Sequence, residues 1–66
     1  MDHRITACLI YSNGETNTFG ATRQEAVEKF ATAFADFILG KSKWLPKQLI
    51  NTETNEEIAS LNYLGH

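Results

Sequence analysis

The chain has 66 residues, room for one domain spanning 1–66. A domain this small buries only about 60% of its unfolded surface, so self-association into a homodimer is an expected source of extra burial. One cysteine, Cys8, excludes an intrachain disulfide, and the lack of paired Cys or His spacings argues against a closed zinc site. A net charge of -2 lacks the basic excess that tracking a nucleic-acid backbone requires, and no apolar run nears the ~20 residues of a membrane span.

The run RITACLIY, residues 4–11, is β-branched and apolar on both faces, which predicts a central strand or one covered on both sides. Asn13-Gly14 follows as a hairpin signal of type I′, which requires positive φ at both central positions. The return strand is then ETNTF, residues 15–19, a threonine-rich edge. This reading sets Tyr11 against Thr16, Leu9 against Thr18 and Cys8 against Phe19, with Gly20-Ala21 ending the strand.

Thr22 and Glu25 form a capping box that opens a helix, and Gly40 closes it as a C′ glycine. On the helical wheel Ala26, Val27, Phe30, Ala31, Ala33, Phe34, Phe37 and Ile38 make one apolar arc. Glu25, Glu28, Lys29, Thr32 and Asp36 lie opposite. After Pro46, the segments KQLINT and EIASLNY flank ETNE, with Asn55 suited to a left-handed turn position. A helix is the competing reading of residues 54–64, because Thr54 and Glu57 repeat the capping box and Ile58, Leu61 and Leu64 follow at near-helical spacing. With the hairpin, the order is ββαββ: an α+β domain in which one amphipathic helix lies across an antiparallel sheet.

Chemistry-bearing groups are sparse. His3 and His66 stand near the ends of the chain, and Cys8 lies mid-strand without a surrounding motif, a position suited to a small buried hydrophobe. Glu56 and Glu57, adjacent on a strand, point to opposite faces and do not form an acid–base pair. No glycine spacing matches a phosphate cradle. These features predict a non-enzymatic protein with no cofactor and no metal.

The stretch GKSKWLPKQ, residues 40–48, holds Lys41, Lys43 and Lys47 around the single tryptophan, Trp44. Three readings compete: a plug over the open end of the core, a protein-contact surface, and a single-stranded nucleic-acid site of interleaved lysines and aromatic ring. The run ITACLIYSNGETNTFGATRQEAVEKF resembles the hairpin-to-helix layout of HicB-type antitoxins and of the arm-binding domains of phage integrases. The resemblance to integrase arms implies DNA contact through basic strands, whereas the strands here offer only Arg4. In size, acidity and layout the chain also resembles small phage-encoded inhibitors such as anti-CRISPR proteins. That resemblance implies a regulatory module that occludes a protein partner by electrostatic complementarity.

The leading expectation is therefore a cytoplasmic, non-enzymatic, protein-binding regulatory or inhibitory module, of the kind phages and other mobile elements encode, acting as a homodimer. Its expected contact residues are Trp44, Lys41, Lys43, Lys47, Phe37, Tyr11, Tyr63, Glu28 and Asp36. A nucleic-acid-binding domain using the loop 41–47 is the alternative, and a structural subunit of a larger assembly is the third.

Overall fold

A computed structural model describes residues 3–61 of the chain. The elements run β1 (Arg4–Tyr11), β2 (Thr16–Thr22), α1 (Arg23–Ile38), β3 (Pro46–Asn51) and β4 (Glu56–Ser60). The strands form one antiparallel sheet of order β2-β1-β3-β4, and α1 touches all four strands from one side. This is the expected ββαββ domain, with β1 in the interior and β2 at an edge.

The helix begins as its sequence dictates. The Thr22 hydroxyl accepts from the Glu25 amide at 3.1 Å, and the Glu25 carboxylate accepts from the Thr22 amide at 3.0 Å. Two donors that a helix start leaves without partners are thereby satisfied. At the other end Gly40 takes φ +79, so its N–H reaches the Phe37 carbonyl at 3.1 Å while the Lys41 N–H reaches the Asp36 carbonyl at 2.8 Å. That pair of reversed bonds is a Schellman ending, and glycine adopts the left-handed geometry without a Cβ clash.

The first hairpin corrects the expected register by one residue. Ile10 faces Thr16, Leu9 faces Asn17, Cys8 faces Thr18 and Ala7 faces Phe19. The turn is not type I′, because only Gly14 has positive φ, at +92. The Tyr11 N–H donates to the Glu15 carbonyl and the Gly14 N–H to the Tyr11 carbonyl, enclosing a three-residue loop with glycine in its last, left-handed position. A one-residue slip exchanges the faces of a strand. Phe19 consequently joins Ala7 beneath the helix instead of pairing with Cys8 on the open face. β2 also continues through Gly20 and Ala21, and Ala21 is buried.

The second hairpin follows the strand reading, with β3 and β4 paired and Asn55 at φ 61 in the turn; residues 62–64 of the competing helix reading lie outside the described residues. The core is thin: Ala7, Leu9, Ala21, Ala26, Phe30 and Leu49 are buried, with Tyr11, Phe19, Ala33, Ile58 and Ala59 packed against them. The apolar arc of the helix is wider than the part the sheet covers. Val27 and Ile38, expected within the core-facing arc, are 40% and 64% exposed. Arg23 pairs with Glu56 on the β4 side and Lys29 lies over Phe19 on the β2 side, so the Val27–Ile38 flank rises above β4, beyond the sheet's reach.

Opposite the helix, the sheet presents Thr6, Cys8, Ile10, Thr16, Thr18, Gln48, Ile50 and Glu57. Cys8 is half-buried in this open face and is not part of the core.

Candidate partner-binding end

The hairpin topology brings the Ser12–Glu15 turn, the end of α1 and the loop 39–45 to one end of the molecule. The Ser12 N–H donates to the Leu45 carbonyl at 2.8 Å and joins the turn to the loop. The Schellman ending then holds the loop against the helix, with Lys41 and Ser42 both donating to the Asp36 carbonyl. Ser42 also anchors Trp44: its hydroxyl accepts from the Trp44 amide at 3.1 Å. Pro46 is buried where β3 starts.

Trp44 meets the Tyr11 ring edge-on, with centroids 5.4 Å apart and planes at 76°. The register shift between Ile10 and Tyr11 at the β1–β3 pairing places Tyr11 opposite Pro46 and turns its ring toward the loop. Even so, Trp44 stays 42% exposed, so the indole meets Tyr11, itself packed on the core, and keeps a large part of its surface in solvent. Ile38 and Leu39, within six positions of it in the chain, are 64% and 66% exposed. Among the described residues, the four large hydrophobics left exposed are these three and Val27.

Charges of both signs stand at each end of the fold, and Glu15 and Asp36 accompany the lysines of the loop. Lys41, Lys43 and Lys47 are exposed at the Trp44 end. The opposite end, around the start of α1 and the β3–β4 turn, holds Glu25, Glu53 and Glu56 with Arg4 and Arg23. Among the described residues the ion pairs are Arg4–Glu25 at 3.6 Å and Arg23–Glu56 at 3.0 Å, both at the end opposite Trp44. Both pairs are largely exposed and contribute little to stability. The Glu25 carboxyl is held below the ordinary glutamate range chiefly by the Thr22 amide bond, which outweighs the opposing effect of desolvation; Arg4 and then the Thr22 hydroxyl add smaller lowering effects.

Of the residues expected to form a contact surface, Trp44, Tyr11, Lys41, Lys43 and Lys47 share the loop end. Phe37 and Asp36 lie in the last helical turns beside them, both half-buried. Glu28 is not part of this surface. It sits near the helix start, accepting from Gln24 Nε2 at 3.4 Å, and 1.5 Å of rise per residue carries it ~15 Å from Ile38. Tyr63 lies outside the described residues. Sequence reasoning missed Ile38 and Leu39 as surface groups; the signal was an apolar arc wider than one sheet contact can bury.

A depression of about 310 Å³ lies between β3 and β4, lined by Lys47, Gln48, Glu57, Ser60 and Leu61. Within it Gln48 Nε2 donates to Glu57 Oε1 at 2.9 Å. Lysine, serine and carboxylate are present, but the recorded polar contact there joins an amide to a carboxylate. Such a contact leaves a nucleophile without an oriented base. Among the described residues no cluster of three or more His, Cys, Asp and Glu side chains has metal-binding spacing, and no helix is long and apolar enough to cross a membrane. Comparison of the chain with family models, curated proteins and solved structures returns no match.

Proposed function

We propose that the chain is a non-catalytic protein-binding module of regulatory or inhibitory type that docks through its Trp44 end. The observation that carries this reading is that the chain segment 38–47 exposes Trp44, Ile38 and Leu39 together with lysines that take part in no ion pair among the described residues. A soluble domain places a large aromatic at a surface where it serves as an anchor, and tryptophan leads the residue types that dominate binding energy. Lysines around the anchor steer the approach and fix its orientation. The chemistry matches a partner groove that is apolar at its centre and bordered by carboxylates.

The same lysines and indole favour a second reading, contact with single-stranded nucleic acid through base stacking. One set of measurements separates the two. Tagged full-length chain and its Trp44→Ala variant are compared as baits in the source cell, and the recovered proteins are re-tested pairwise by calorimetry. The expected result is a protein whose affinity falls about 30-fold, equivalent to ~2 kcal/mol, in Trp44→Ala. Thermal unfolding of Trp44→Ala reads its stability loss separately, and binding is compared at a temperature where both proteins are fully folded. If instead oligonucleotides quench the Trp44 emission at low salt and no protein depends on Trp44, the nucleic-acid reading replaces this one.

A further inference from the structure

The two edges of the sheet are built differently. β4 is short, its pairing with β3 shifts register between Leu49 and Ile50, and it carries Glu56 and Glu57. Irregularities and charges of this kind keep an edge from pairing with another chain. β2 has neither. Its sequence TNTFGAT contains no charge and no proline, and its register with β1 is unbroken.

The direction of each backbone group on β2 follows from the turn. The Tyr11 N–H bonds the Glu15 carbonyl, and antiparallel pairs alternate between bonded and non-bonded. Asn17, Phe19 and Ala21 therefore bond to β1, while the N–H and C=O groups of Thr16, Thr18 and Gly20 point away from the sheet. Two outward groups are already engaged: the Gly20 carbonyl accepts from the Arg4 guanidinium at 2.9 Å, and the Thr22 N–H is held in the helix cap. Among the described residues, nothing meets the outward groups of Thr16 and Thr18.

We propose that β2 pairs antiparallel with β2 of a second copy, about a two-fold axis at Thr18, so that two sheets become one. The strand is its own complement in that register. Thr18 exchanges bonds with its counterpart, and Thr16 does so with Gly20 of the second copy on either side of the axis. The Thr22 amide stays in its cap, and the Gly20 carbonyl keeps Arg4 on one lone pair and takes the new donor on the other. Symmetry would set like charges against each other, but the strand has none, and Lys29 Nζ is drawn back over the Phe19 ring at 5.0 Å. The thin core of a chain this small gives association something to add. This edge is separate from the Trp44 end, so both surfaces can be occupied together.

The test is sedimentation velocity on the full chain from about 1 µM to 1 mM, with amide exchange at both limits. A dimer is expected at high concentration. The Thr16 and Thr18 amides should slow as it forms, while the Asn17 amide, bonded to β1, is protected throughout. Thr18→Lys places like charges at the axis and should weaken the dimer about tenfold or more without changing the circular dichroism. Thr18→Pro removes an outward N–H that β1 does not use and should abolish the dimer; if that variant fails to fold, the concentration dependence of exchange decides. Ile38→Glu should leave association unchanged. A monomer at every concentration overturns the proposal, as does a dimer that survives both Thr18 changes, one that Ile38→Glu dissolves, or Thr16 and Thr18 amides whose exchange ignores concentration.

Discussion

Thr22 and Glu25 make two reciprocal bonds at the point where strand becomes helix, and a pH dependence follows from them. The folded state lowers the Glu25 pKa below its ordinary value of 4.5, so the folded state binds that proton less readily than the unfolded chain does. The stabilisation is complete above the ordinary glutamate range. It is lost as pH falls through the lower folded value. Thr22→Ala should cost ~1 kcal/mol at neutral pH by removing the cap hydroxyl; Glu25→Ala removes the carboxylate that the Thr22 N–H bonds, and urea titrations at pH 7 and pH 3 should show the difference between that variant and the parent shrinking in acid. Asn55 is the residue-scale counterpart in the second hairpin: its φ of 61 is tolerable for asparagine and costly for most side chains. Asn55→Ala should lower the unfolding midpoint by the equivalent of ~1 kcal/mol, while Asn55→Gly should stay within a few tenths of the parent.

At the scale of elements, the sequence was legible where a residue type can do only one thing. Thr22, Glu25 and Gly40 mark both ends of α1, and the structure places them as the spacing requires. The hairpin register was not legible, because Ser12-Asn13-Gly14-Glu15 accommodates more than one turn. The Asn13 side chain tips the choice by accepting the Glu15 amide at 3.0 Å. That Asx bond keeps Asn13 out of the left-handed region and gives positive φ to Gly14 alone. Gly14→Ala should therefore destabilise by ~1 kcal/mol from backbone strain, since open space surrounds the position where a Cβ would sit. Thermal unfolding monitored by circular dichroism would read it. The helix taught a similar lesson: the wheel positions its apolar residues correctly, but only the packed sheet decides how much of that arc is covered. Val27 and Ile38 exceed the cover, and no local pattern states the width of a sheet.

For the whole molecule, the small number of buried side chains sets the stability. Total stability at ~0.05–0.15 kcal/mol per residue leaves little reserve, and truncating a buried phenylalanine costs ~3–5 kcal/mol. Phe30, 2% exposed at the centre of the core, should be indispensable: Phe30→Ala is expected to lack a cooperative thermal transition in differential scanning calorimetry. The candidate site was legible in part. The lysines and Trp44 announce themselves in one stretch, but the contribution of Ile38 and Leu39 depends on how the chain turns after Gly40. The strand order has a further bearing on how the chain comes off the ribosome. β1 lies in the interior of the sheet, yet its β3 neighbour is translated only after the helix and the loop that follows it. For that interval the nascent ββα half exposes one side of β1 to chaperones and to neighbouring nascent chains. The β3–β4 hairpin arrives as a separate closing piece, so the chain cut between Gly40 and Trp44 should be recoverable as two fragments that reassemble when mixed.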